Sequence, residues 1–261
     1  DSQTGEKIGK IDRLLATIKV EDLYALNLQR NINLEDLEME GLELWVTFDD
    51  QGRSNFRNIK LPPPDPNSRI LFSYSTAHVR LNNAVIHYGD RRYDITGDAR
   101  NINATVRPED PSAPEESRMN LIDLALSNST FTYNGRPVDN IGVELHARAN
   151  QTRADITELV LRSPVTEARL SGALEDWRAL RYRMKVDGTV DLTQISDVLR
   201  PETTMRGAGR FSGTVTGEAE NYNAEVAFES DALAAIERLR ARPDLTVLAV
   251  TVLTPEDVEA A

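Results

Sequence analysis

Apolar and polar residues alternate at period two along most of this chain, which constrains the fold more than any other feature. Successive side chains of a strand point to opposite faces, so alternation marks an extended segment with one wet and one covered face. From Gly41 to Asp50, Leu42, Leu44, Val46 and Phe48 take one parity while Glu43, Trp45, Thr47 and Asp49 take the other. The same reading holds over Ala77 to Gly89, with Val79, Leu81 and Val85 on one parity. It returns at Ile141, Val143, Leu145, at Tyr182, Met184, Val186, and at Tyr222, Ala224, Val226, Phe228. A mostly β protein is predicted, with strands from Ile8 to about Phe228.

Turn signals separate these runs: Asp49-Asp50-Gln51-Gly52, Tyr88-Gly89-Asp90, Tyr133-Asn134-Gly135-Arg136 and Glu218-Ala219-Glu220-Asn221. Asn134-Gly135 is the strongest, because a type I′ turn needs positive φ at both central residues; Phe131 to Val143 therefore reads as a hairpin. Leu61 to Pro66 and Arg107 to Glu116 are expected to be loops, since proline lacks a ladder donor. Small residues and glycine recur at Thr96-Gly97, Ser171-Gly172, Asp187-Gly188 and Ser212-Gly213 as a loose, irregular repeat. Short helices are expected at Asp176 to Leu180 and at Leu192 to Leu199, the second stopped by Pro201. From Asp231 the pattern changes to helix-strand-helix, dividing the chain into a β segment 1–230 and a tail 231–261, a possible cap.

The net charge of −12 and a pI near 4.8 disfavour nucleic acid, whose phosphates need clustered Lys and Arg. Cysteine is absent, which removes disulfides, thiolate metal sites and cysteine nucleophiles. No apolar run approaches the ~20 residues of a membrane helix. Asp1 to Gly5 carries neither an initiator Met nor a signal-type apolar stretch, and the chain is read as part of something longer.

Catalytic or metal-binding constellations are not evident. His78 and His87 lie at an odd separation, on opposite faces of a straight strand, and with His146 read as solvated or hydrogen-bonded strand residues. Asp49 to Asn55 gathers oxygen side chains around a glycine but lacks calcium-loop spacing, so a capped turn is expected. Gly207 to Gly213 misses the dinucleotide spacing, and no Gly-x-Ser-x-Gly occurs. Asn103-Ala104-Thr105 and Asn128-Ser129-Thr130 match glycosylation acceptors. Trp45, on the polar parity of a strong strand, is expected to pack against a neighbouring strand or loop. No enzyme activity, cofactor or metal is expected.

The block Val20 to Lys60, with Asn33 to Leu44, a strand through Phe48 and then Asp49-Asp50-Gln51-Gly52-Arg53-Ser54-Asn55, resembles the early strands of the AsmA-like family, which includes the TamB translocation and assembly module. The likeness continues less specifically through Ile95-Thr96-Gly97-Asp98, Leu161 to Pro164 and Ser171 to Leu174, to about Ser230; the tail departs from it. The resemblance implies a long curved antiparallel sheet, an open β-groove of the β-taco kind, greasy inside and polar outside. It also implies a periplasmic location, anchorage to the inner membrane, and a part in phospholipid transport and outer-membrane biogenesis. The implied partners are phospholipid acyl chains and, at one end, outer-membrane assembly proteins.

Each acyl methylene exposed to water costs ~0.8 kcal/mol, so a sixteen-carbon chain costs about 12 kcal/mol to carry unprotected. A conduit must offer continuous apolar surface, and alternating strands supply it. The residues expected to line the groove are Leu42, Leu44, Val46, Phe48, Val79, Leu81, Val85, Tyr182, Met184, Val186, Val226 and Phe228. The alternative is a closed β-sandwich or β-solenoid acting as an interaction or adhesion module, whose apolar faces cover one another.

Overall fold

The computed structural model describes residues 8–18, 31–58, 71–73, 78–114, 116–177, 179–199, 206–218 and 221–230. The chain is mostly β; among the described residues no strand pairing closes the sheet on itself, and there is a single α-helix. Two compact units are present, residues 1–135 and 136–261. The tail from Asp231 and the Leu61 to Pro66 segment lie outside the described residues.

The first unit holds β1 (Gly9–Lys10), β2 (Arg13–Ile18), β3 (Asn31–Glu40), β4 (Glu43–Phe48), β5 (Leu71–Ser73), β6 (His78–Asp90), β7 (Ile95–Pro108) and β8 (Asn120–Tyr133). β7 pairs antiparallel along one edge of β6, while β3 and then β4 pair parallel along the other. β8 extends the sheet beyond β7, β1 and β2 flank β4 and β3, and β5 pairs parallel with β3. These parallel pairs depart from the antiparallel sheet expected from sequence. The connection from Asp49 to Ala77 is long enough to return the chain to its starting end, which parallel pairing requires. Arg107 and Pro108 also belong to β7 rather than to a loop, since proline is tolerated at a strand terminus.

Alternation changes phase inside every long strand of this unit. Leu37 and Met39 are followed by Leu44, Val46 and Phe48; Val79 and Leu81 by Ala84, Ile86 and Tyr88. Ile95, Gly97 and Ala99 give way to Ile102, Ala104 and Val106, and Ile122, Leu124 and Leu126 to Phe131 and Tyr133. At each switch sits a residue with positive φ: Gly41 (63°), Asn83 (51°), Asn101 (49°) and Asn128 (52°). An extra residue in a strand exchanges its two faces, so each bulge returns the second half of the apolar set to the face of the first. Asparagine tolerates the left-handed region better than most side chains. Its amide, with nearby serines, satisfies groups that the broken ladder leaves open. Asn83 N–H donates to Asn103 Oδ1 (3.1 Å), Asn101 Nδ2 to Ser127 Oγ (3.2 Å), and Arg100 N–H to Ser129 Oγ (2.9 Å). Both sequons thus fall in the bulge region. The bulge also corrects the histidine geometry: His78 and His87 share the polar face, though they lie at opposite ends of β6.

The second unit is an antiparallel meander of β9 (Arg136–Ala149), β10 (Ala154–Arg162), β11 (Thr166–Asp176), β12 (Arg181–Asp191), β13 (Ala208–Glu218) and β14 (Asn221–Ser230). The helix α1 (Leu192–Leu199) leaves β12 under the cap of Asp191, whose Oδ1 accepts from Thr193 N–H (2.9 Å) and Gln194 N–H (3.0 Å). It contacts β9, β12 and β13, and Arg136 donates to the Asp197 carbonyl. The helix expected over Asp176 to Leu180 is instead the end of β11 and a turn. Five residues cannot offset the cost of nucleating a helix, and Leu180 turns the chain at φ 49°.

Asn134 (φ 49°) and Gly135 (φ 71°) have the conformations of the expected type I′ turn. A Cβ at Gly135 would meet nothing within 4 Å, so substitution there tests backbone strain alone. Gly135→Val is expected to lower stability by more than ~1 kcal/mol in urea denaturation, because a β-branched residue resists positive φ. Gly135→Asn should cost much less.

Candidate functional site

Register shows that the second unit's sheet is amphipathic. Leu170, Val186, Gly213 and Val226 form one row across β11 to β14; Gly172, Met184, Val215 and Ala224 form the next; Ala168, Gly188, Phe211 and Phe228 a third. The intervening rows, Arg183-Thr216-Asn223 and Lys185-Thr214-Glu225, occupy the opposite face. The expected Tyr182, Met184, Val186, Val226 and Phe228 are thereby brought together. Sequence reading passed over Leu170, Phe211 and Val215, whose strands are interrupted by glycine. Those glycines have a packing role: a Cβ on Gly188 would collide with the Phe211 ring, on Gly209 with Phe228, and on Gly217 with Tyr182. Aromatic rings lie over bare backbone and keep the face continuous.

Most of this face is half-buried. Phe228 (8% exposed) is covered, but Tyr182, Met184, Val186, Phe211 and Val226 are intermediate. Among the described residues no large side chain is completely buried and the unit has one sheet, whereas a sandwich core closes over its apolar rows. A half-covered apolar face on one layer can hold a flexible hydrocarbon by area alone, without directional bonds.

In the first unit the bulges bring Leu44, Val46 and Phe48 to the face of Val79 and Leu81, each beside a partner on β6 or β3. Leu42 sits at the break between β3 and β4, its carbonyl accepting from Val85 N–H (2.8 Å). Val85 lies on the other face, opposite Glu43 and two residues from His87, because Asn83 reverses the phase before it.

That polar face carries an ionic cluster unforeseen from sequence. His87 stands between β4 and β7, its Nε2 3.0 Å from Glu43 Oε1 and its Nδ1 2.7 Å from Asp98 Oδ1; Arg100 reaches Asp98 Oδ2 at 2.5 Å. Trp45 stacks on the imidazole at 5.0 Å, which is the neighbour-strand packing expected of it. Residues paired across strands, Glu43 with Val85 and His87 with Asp98, could be assigned only once register was known. Partial burial disfavours the imidazolium, but hydrogen bonds to Asp98 and Glu43 and their negative charges outweigh it and raise the His87 pKa above 6.5. A raised folded-state value makes this contribution full below pH 6.5 and lost as pH rises through the folded pKa. The stability gap between the wild type and His87→Gln, followed by urea denaturation, should therefore be largest near pH 5.5 and shrink towards pH 8.5.

Asp49 caps its turn as expected of a local loop. Its Oδ1 accepts from Gln51 N–H and Arg53 N–H, both at 2.9 Å, and its Oδ2 lies 2.6 Å from Arg53 Nε. The Arg53 backbone N–H leads the interactions that hold this carboxyl down to about 2. Among the described residues no group of three His, Asp or Glu side chains is placed to hold a metal ion, and no helix is long and apolar enough to cross a membrane.

The fold and face define an open, amphipathic β-sheet protein. Comparison with protein-family models, curated proteins and solved structures finds no match.

Proposed function

We propose that this chain is a segment of a lipid conduit of the AsmA-like and TamB type, its apolar sheet face shielding phospholipid acyl chains in transit. In this reading it works in the periplasm, held to the inner membrane through other segments of its parent protein and handing lipid on towards outer-membrane assembly proteins. Its role is carriage rather than catalysis. The observation supporting it is the half-exposed apolar face of β11 to β14, backed by a face of charged, hydroxyl and amide residues. A sandwich or solenoid interaction module would cover that face.

Native mass spectrometry of the purified chain provides the test: phospholipid is expected to copurify. Val186→Asp and Val46→Asp should each reduce bound lipid about tenfold or more, because a carboxylate on the face must stay hydrated. Both side chains are only half-buried, so melting temperatures should fall little. A lipid-free parent, or mutants that unfold outright, would overturn the conduit in favour of a closed core.

A further inference from the structure

We propose that a cleft at one end of the first unit's sheet binds the phosphate of a small amine-bearing phosphoester, of which phosphoethanolamine is the simplest. The cleft has a volume of about 560 Å³ and lies where β4 and β6 end and β7 begins, between the Asp49 turn and the β6–β7 turn. Sites for small molecules have volumes of this order. The charged residues lining it, among those described, are Asp49, Arg53, Arg57, Asp90, Arg91 and Asp94. Asp49 is cancelled by Arg53, and Asp90 by Arg92, which reaches it through Nε (3.0 Å) and Nη2 (2.5 Å). Among the described residues the Arg57 and Arg91 guanidiniums and the Asp94 carboxylate have no such partner. Two cations therefore face one anion in a chain whose net charge is −12.

The two walls are held in place by the fold. Asn55 ties the short 3₁₀ helix Asn55–Asn58 to β4, its Oδ1 accepting from Thr47 N–H (3.1 Å) and its Nδ2 donating to the Trp45 carbonyl (2.8 Å). Arg91 N–H donates to the Phe48 carbonyl (3.2 Å). Arg92, paired with the buried Asp90, lies so close over Gly52 that a Cβ there would come within 2.5 Å of its Nη1. The loops are thus clamped to each other with Arg57 on one and Arg91 on the other, which lowers the ordering cost of binding. One guanidinium fork satisfies both oxygens of a carboxylate. Two unpaired forks suit a group with more acceptors and more charge, and a phosphomonoester has three free oxygens and about −1.5 to −2 charges at neutral pH. Asp94 then pairs with the ligand's ammonium, which offsets its repulsion of the phosphate. The inference is independent of acyl-chain carriage, because a soluble phosphoester fits the cleft whatever the sheet face holds.

The test is phosphorus NMR of O-phosphoethanolamine titrated with the full chain, washed free of lipid in detergent and returned to buffer. Line broadening should saturate at one site. Arg57→Gln and Arg91→Gln should each weaken binding about tenfold. Their melting temperatures should match the parent's, since both side chains are exposed and unpaired. Asp94→Asn suits the φ of 49° at this position, so it should fold normally while binding phosphoethanolamine more weakly and inorganic phosphate more tightly than the parent does. β-Alanine, which carries a carboxylate in place of the phosphate, should compete poorly. Glycerophosphoethanolamine separates two sources of the same chemistry: binding as tight as the monoester's assigns the cleft to a phospholipid headgroup, and its exclusion assigns it to a free phosphomonoester. Absence of broadening, arginine variants that bind as the parent does, an Asp94→Asn variant with unchanged preference, or displacement by equimolar β-alanine would each overturn the proposal.

Discussion

Deleting Asn83 is expected to cost the first unit roughly 4 kcal/mol or more, enough to unfold it at ambient temperature or leave it molten. Asn83 lies where β6 gains a residue relative to β7: Leu81 pairs with Ala104 but Ala84 with Ile102. Along the other edge β3–β4 keeps pace, Glu40 pairing with Asn82 and Glu43 with Val85 across its own bulge at Gly41. Removing one residue from β6 alone puts its second half out of phase with both neighbours. Ile86 and Tyr88 would turn to the polar face, and His87 would leave Glu43 and Asp98 for the apolar one. Asn83→Gly keeps both the residue count and the conformation, so it should change stability by less than ~1 kcal/mol. Urea denaturation followed by circular dichroism compares the two. Equal, small losses would mean that the strand tolerates the slip and that the bulge does not set the phase.

Gly213→Leu should destabilise the second unit by about 3 kcal/mol or more. Gly213 faces Val226 on β14, and a Cβ there would collide with the Glu225 carbonyl and come within 2.7 Å of Val226 Cα. Those are backbone atoms in a paired ladder, which cannot give way as a side-chain tip can. Thr214→Leu, one residue along on the opposite face, adds a comparable side chain without that collision and should cost less than ~1 kcal/mol. Thermal melts of both variants check the difference. A tolerant Gly213 would show that β13 and β14 can separate, and that the glycines do not fix how closely the strands approach.

Much of this architecture is legible in the sequence because a strand's period is local. Leu44-Val46-Phe48, Tyr182-Met184-Val186 and Val226-Phe228 declare both their conformation and their shared face within a few residues. Pro201 signals the stop of the helix begun at Leu192, and Asn134-Gly135 the turn conformation. Asp176 to Leu180 misled because helix formers in a short segment cannot pay for nucleation against the strands flanking them. Val85 and the two β6 histidines misled because parity was carried straight through Asn83. An asparagine in mid-strand was the available sign, being disfavoured in regular sheet and at ease with positive φ.

By itself, then, the sequence determined that this protein is built of strands with one greasy and one charged side, since alternation is written residue by residue. Only the tertiary structure decided which strands lie together: the parallel seating of β3 and β4 on β6, and the meeting of Glu43, His87 and Asp98 from three separate strands. Likewise, only register revealed that Gly188, Gly209 and Gly217 are the floor beneath Phe211, Phe228 and Tyr182. Pairing joins residues far apart in the chain through backbone groups that every residue carries alike, so no local pattern specifies the partner.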